Sequence, residues 1–255
     1  MIQLANLSAG YGGQDVLQDI SLTLRPGQVT AIIGPNGCGK STLLKTAVGI
    51  LSPSAGTILL SGEDARSLST AERARRVAYL PQNRRAPDIS VLRMVLHGRF
   101  PYLNYPRRYR PEDITAAKDA LRQTGLGDLQ DELVSRLSGG MQQAVYIAMA
   151  LAQDTDTILM DEPTTFLDAA HQLRLLNMAR QLADGGKAVA LVLHDLSHAL
   201  RTADTVSVMQ TGRLVCTGTP EEVFASGILE QVFGVRVGRY ATEHGWQYYC
   251  ASAEL

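Results

Sequence analysis

Gly34-Pro35-Asn36-Gly37-Cys38-Gly39-Lys40-Ser41 sets glycines, a lysine and a hydroxyl at the spacing of a phosphate-binding loop. Phosphate needs many hydrogen-bond donors in a small concave space, and backbone amides in a tight turn supply them. Gly34, Gly37 and Gly39 permit that turn, and a helix starting at Lys40 aims its positive end at the anion. Lys40 then reaches the β- and γ-phosphates of a nucleotide, and the Ser41 hydroxyl becomes a ligand for Mg²⁺. Pro35, Asn36 and Cys38 fill the loop and Thr42 follows it, so ATP contacts are expected from Gly34 through Thr42.

A second signal is the apolar run Ile158-Leu159-Met160, which ends in Asp161-Glu162. Two acids there place carboxylates at the carboxyl end of a strand, where open α/β sheets bind ligands. Asp161 is expected to hold Mg²⁺ through water, and Glu162 to polarise the attacking water. His194 closes the run Ala188–Leu193 and can reach a γ-phosphate, although a histidine at a strand end is by itself more often structural. Gln82, just after Val77–Leu80 and Pro81, means little alone. Tyr11 precedes the strand leading to the glycine loop and can stack on adenine; otherwise it is an ordinary tyrosine in a Gly-flanked turn.

Ser138-Gly139-Gly140 begins a helix, and its hydroxyl and amides form another anion site. The chain already has one phosphate loop. A second γ-phosphate receptor makes sense when two subunits meet head to tail, each completing the other's site.

These motifs need a scaffold. Ile2–Leu7, Ile20–Leu24 and Ile58–Leu60 read as short strands, and Val29–Ile33 as a strand covered on both faces. Helical character follows over Lys40–Ile50, and Ser69 with Glu72 forms a capping box before a strand at Val77–Leu80. From Gln82 to about Ala152 the character changes, with helical patterns at Ser90–Leu96, Pro111–Thr124 and Met141–Ala152. Within it, Arg84–Arg110 is rich in arginine, has Asp88 as its one acid, and is broken by prolines 87, 101 and 106. This reads as a helical lobe, approximately residues 83–152, inserted in a strand-rich core. Strands Thr157–Met160, Ala188–Leu193 and Thr205–Met209 then alternate with helices, the pattern of a parallel α/β sheet. Thr219-Pro220-Glu221-Glu222 is a further helix start.

Net charge is −1, so no global field favours nucleic acid. Cys38, Cys216 and Cys250 lack metal-ligand spacing and fit a reducing compartment. His97, His171, His198 and His244 form no metal pattern, and no nucleophile elbow supports a hydrolase triad. No apolar run approaches the roughly 20 residues that span a bilayer. Any channel must come from other chains.

Taken together, the chain resembles the nucleotide-binding subunits of ABC transporters over nearly its full length. The matching segments are the Walker A loop Gly34–Ser41, the glutamine loop at Gln82 and the signature Leu137–Gly140. They continue with Walker B through Asp161 and Glu162, the D-loop around Leu167-Asp168, and the switch histidine His194. The resemblance implies one domain over 1–255 with a P-loop NTPase core, namely a RecA-like parallel sheet plus an N-terminal antiparallel β subdomain, and an inserted α-helical subdomain. It adds Gln82 to Ser41 and Asp161 as a Mg²⁺ ligand, and gives Glu162, His194 and Gln82 catalytic roles. It implies a homodimer with ATP at the interface, two permease subunits, and an extracytoplasmic binding protein reached indirectly. The expected location is the cytoplasmic face of the cell membrane.

Gly98-Arg99-Phe100-Pro101-Tyr102, Ile147–Asp154 and Asp161-Glu162-Pro163-Thr164-Thr165-Phe166-Leu167-Asp168 look like the importers of iron–siderophore, haem and cobalamin, iron–siderophore closest. Met141 replaces the usual Gln or Glu, and Ala144 stands where many relatives carry Arg. The Arg84–Arg110 tract reads as the permease-docking region, as a solvated basic surface, or as a patch attracted to anionic lipid. A soluble ABC ATPase acting on nucleic acid or assembly is a competing reading, disfavoured by the lack of a tandem domain, a coiled-coil insertion or a basic extension. An exporter ATPase is a third.

Overall fold

The computed structural model describes residues 1–82, 86–165, 167–243 and 245–252; Arg84, Arg85, Phe166 and His244 lie outside them. The chain opens with an antiparallel hairpin of β1 (Ile2–Tyr11) and β2 (Gln14–Leu24), joined at Gly12-Gly13 with Tyr11 opposite Gln14. This two-residue turn has positive φ at both positions, the type I′ form, which the two glycines accept at 60° and 82°. Both strands run longer than their apolar residues indicate, because the pairing continues through half-exposed positions. Next come β3 (Val29–Ile33), buried at every position, and α1 (Lys40–Ala47). That helix stops short of Ile50: the Ile50 amide turns back to the Lys45 carbonyl and closes it. Strands β4 (Ala55–Leu60) and β5 (Glu63–Asp64) complete an antiparallel sheet of order β2-β1-β4-β5. Helix α2 (Thr70–Arg76), carrying the Ser69/Glu72 capping box, leads into β6 (Val77–Leu80).

Helices α3 (Val91–Leu96), α4 (Pro111–Gln123) and α5 (Gly139–Ala152) stand between β6 and β7 (Thr157–Asp161). The Gly98–Tyr102 segment knits them together. Arg99 pairs with buried Asp113 at 3.0 Å, donates to the Ala152 carbonyl at 2.9 Å, and lies 4.0 Å over the Tyr102 ring. The Pro101 carbonyl accepts from Arg75 of α2, and Tyr102 donates to the Gln153 carbonyl. This short stretch therefore ties α2, α4 and the end of α5 into one body.

The remaining elements are α6 (Ala169–Asp184), β8 (Ala188–Val192), α7 (Leu196–Thr202), β9 (Thr205–Gln210), β10 (Arg213–Gly218), α8 (Pro220–Ala225), α9 (Ile228–Phe233), β11 (Val235–Thr242) and β12 (Gly245–Ser252). The main sheet has order β10-β9-β3-β8-β7-β6, parallel except for β10. Side chains alternate across it. Val29, Ala31 and Ile33 join residues of α3–α9 in one core, whereas Ile32 faces α1 and the antiparallel sheet in a second. The hairpin β11–β12 packs on α7. Its alternation is faint in the sequence because only Val237 and Tyr248 of its residues are buried.

Candidate nucleotide site

Four motifs ride on four neighbouring strands. The glycine loop follows β3, His194 follows β8, Asp161 ends β7 with Glu162 after it, and Gln82 follows β6; these strands lie side by side in the order β3-β8-β7-β6. All four run parallel, so their carboxyl ends open on the same edge.

The loop turns tightly because two of its glycines leave no room or no alternative. A Cβ on Gly34 would lie 2.2 Å from the Met209 carbonyl oxygen, and Gly39 begins α1 at φ 106°. Buried Lys40 donates its ammonium to the carbonyls of Gly34 (2.7 Å) and Pro35 (3.0 Å), which holds the charge across the loop. The Ser41 hydroxyl donates to Asp161 Oδ1 at 3.0 Å, and Tyr79 donates to Asp161 Oδ2 at 3.2 Å. Asp161 is 1% exposed, and burial pushes its carboxyl above the usual range; the Ser41 and Tyr79 hydrogen bonds oppose this, while the neighbouring charge of Glu162 adds to it.

Glu162 gathers the next group. Its Oε1 lies 2.6 Å from His194 Nε2, and Oε2 accepts from the Gln82 amide and, at 3.5 Å, from the Thr165 hydroxyl. A carboxylate only accepts, so His194 carries its proton on Nε2. Glu162 sits at φ 49°, the left-handed region, which costs a non-glycine residue about 1 kcal/mol or more. That twist after β7 turns adjacent Asp161 and Glu162 toward different partners.

Ser138 caps α5, its hydroxyl accepting from the Met141 amide at 3.4 Å. Among the described residues no hydrogen bond or ion pair joins Ser138, Gly139 or Gly140 to the phosphate loop. Asp168 caps α6 and accepts from the His171 amide at 2.8 Å. Tyr11 ends β1 and is 52% exposed as a residue. Met141 and Ala144 both line a cavity of about 760 Å³ between α5 and α6, together with Leu126, Ile147, Leu175 and Met178. The two departures noted in the sequence thus make one apolar wall. Tyr79, Thr165 and His171 are partners that the sequence reading did not single out. The Asp168-x-x-His171 spacing of a helix cap was the one available signal.

The family model for ABC transporters matches residues 17–165, more than half of the chain. The chain belongs to the ABC transporter family. This ABC protein is 41% identical over 232 residues to the ferric enterobactin transport ATP-binding protein FepC of Escherichia coli, covering 90% of this chain and 86% of FepC. It is 41% identical over 231 residues to the iron(3+)-hydroxamate import ATP-binding protein FhuC of Bacillus subtilis, with the same two shares covered. Its fold superimposes on the ADP conformation of MJ1267, an ATP-binding cassette of an ABC transporter, with TM-score 0.81 at 26% identity, covering 92% of this chain and 97% of MJ1267. The ABC protein therefore binds ATP and is an ATPase whose hydrolysis is coupled to transport. Among the described residues no helix is long and apolar enough to cross a membrane.

Proposed function

We propose that this chain is the ATP-hydrolysing subunit of an importer for an iron chelate, working at the cytoplasmic face of the membrane beneath two permease subunits. The observation that carries the reading is the convergence of Gln82 and His194 on Glu162 beside the Ser41–Asp161 pair. The iron reading rests on the ferric and iron(3+) transport named for the two relatives.

Two copies sandwich two ATP molecules, each between one glycine loop and the partner's Ser138-Gly139-Gly140 turn. Loop amides and Lys40 hold the phosphates in cis, and the partner's helix start adds donors to the γ-phosphate. Ser41 and Asp161 offer hard oxygen donors within 3.0 Å of each other, a set suited to Mg²⁺. Gln82 presents its amide oxygen from the far side, since its nitrogen faces Glu162. Bound Mg²⁺ neutralises phosphate charge. Glu162 takes the proton of the attacking water, with His194 and Gln82 fixing its carboxylate. Tyr11 stacks on the adenine, and Asp168 borders the partner's site.

Tyr105, 97% exposed, and Phe100, 45% exposed, stand in the arginine-rich stretch with Arg107 and Arg108, and this surface docks the permease. Reconstitution with a permease and binding protein in vesicles, followed by uptake of ferric chelate, haem and cobalamin, tests the whole reading. ATP-dependent ferric-chelate uptake is expected. Uptake of haem or cobalamin alone reassigns the substrate, and ATPase activity without uptake of any supports a soluble ABC ATPase. Charge reversal of Arg107 and Arg108 is expected to reduce permease co-purification while leaving basal ATPase activity in place; intact assembly and uptake would make the surface merely solvated.

A further inference from the structure

His171 joins two motifs that the reaction uses separately. It occupies the first turn of α6, and its Nδ1 lies 2.8 and 2.9 Å from the two carboxylate oxygens of Asp168. Because the carboxylate only accepts, Nδ1 carries the proton, and the opposite edge of the ring is fixed in direction. That edge faces the start of α5. A Cβ added at Gly140 would stand 3.2 Å from His171 Cδ2 and 3.3 Å from Nε2, closer than side chains normally pack. The imidazole therefore fills the space that a side chain at Gly140 would need, beside the turn whose hydroxyl and amides form the second anion site. A second tie crosses the same boundary: Gln143 of α5 donates to the Pro163 carbonyl at 2.7 Å, one residue past Glu162.

We propose that His171 is a positioning residue, a strut that is hydrogen-bonded to Asp168 on one edge and packed against Gly140 on the other, and that it sets the Ser138 turn at a fixed distance from the Asp168 loop. The proposal rests on the two-subunit reading above. In that arrangement the Ser138 turn serves one nucleotide and Asp168 borders the protein around it, so a strut between them makes the geometry of a composite site depend on the helical lobe and the core of the same chain together. Among the described residues no hydrogen bond or ion pair joins Asp168 or His171 to the glycine loop. Loss of the strut should therefore spare nucleotide binding and impair the step that needs both subunits.

The experiment uses the full chain reconstituted with its permease. ATP hydrolysis is measured against ATP concentration for wild type, His171→Ala, His171→Asn and His171→Gln, alongside nucleotide affinity of the isolated subunits. In His171→Ala, nucleotide affinity should stay within about twofold while kcat falls about 10- to 100-fold, the scale of a displacement near 1 Å at a reacting group. The Hill coefficient should drop toward one. Asn keeps a donor at the Nδ1 position and Gln keeps reach toward Gly140, so each should recover part of kcat. Equal kcat in His171→Ala and wild type overturns the strut, as does a kcat loss matched by an equal loss of nucleotide affinity. If His171→Ala does not fold, the Asn and Gln variants decide: kcat at the wild-type value in both overturns the proposal. A wild type that hydrolyses ATP without cooperativity counts instead against the two-subunit reading, so the two failures are told apart.

Discussion

Replacing Glu162 by Gln isolates one chemical function from the structure that surrounds it. The wild-type carboxylate accepts from His194 on Oε1 and from Gln82 and Thr165 on Oε2. In the amide one of those positions becomes a donor. If it faces His194, the ring moves its proton to Nδ1 and Gln82 keeps its orientation; if it faces Gln82, that side chain flips, presents its oxygen to residue 162 and gives up the one it offers Mg²⁺. Either way the contacts can be kept, so the change is on the order of one hydrogen bond, about 1 kcal/mol of stability. The left-handed backbone at 162 suits Gln no worse than Glu. ATP binding should therefore survive, and on the two-subunit proposal the variant should collect as an ATP-dependent dimer on size exclusion, whereas wild type should not. What is lost is the carboxylate proposed to take the proton. Loss of a general base slows such a step by roughly 10²–10⁴-fold, or about 2.7–5.5 kcal/mol in the barrier. Single-turnover hydrolysis with Mg-ATP measures it. A variant that hydrolyses at the wild-type rate would refute the assignment and pass the role to His194 or Asp161.

Lys40→Ala should nearly abolish ATP binding, because the ammonium that spans Gly34 and Pro35 is the loop's cation; near wild-type affinity with Mg²⁺ present would overturn the loop assignment. Ser138→Arg should bind ATP and fail to hydrolyse it, and wild-type turnover in that variant would remove Ser138 from the composite site. Asp161→Asn should lose hydrolysis yet gain stability at pH 7. Burial raises this carboxyl in the folded chain, so its contribution favours folding below the unfolded pKa near 3.9 and is lost as pH rises through the folded value. The melting temperature without nucleotide should rise at pH 7, by about 2–4 °C per kcal/mol regained, with the gain shrinking toward pH 4. A variant that melts lower than wild type at pH 7 contradicts the sign.

Much of the site was legible because its parts are contiguous. Val29–Ile33 is apolar at successive residues, and the glycine loop follows without a gap, so strand, loop and helix could be placed from one segment. The acids after β7 and the histidine after β8 were readable for the same reason. Partnerships across the sheet were not. Tyr79 reaches Asp161 because β6 lies beside β7, a neighbour relation that no local pattern encodes. His171 comes beside Gly140 because the start of α6 lies next to the start of α5, a long-range neighbour relation that a lone histidine in the sequence does not announce. The hairpin β11–β12 is hard to read from sequence because exposed tyrosines and a tryptophan on its strands, Tyr240, Trp246 and Tyr249, blur the alternation of a half-buried strand.

The helical lobe has no private interior. Val91, Val95, Ala117 and Leu121 of α3 and α4 belong to the same buried cluster as Leu80, Ile158 and Met160 of the main sheet. A lobe of that kind cannot swing free on a hinge without opening the sheet's own face to water. Shear, in which packed side chains slide by about an ångström or two and settle into new grooves, is the motion that keeps that face covered. In the proposed complex, a displacement of the lobe would then be felt directly by the strands that share its core. Amide exchange in α3–α5 should accordingly track that of β6 and β7, and uncoupling mutations should be sought among buried residues of the shared cluster as well as on the surface.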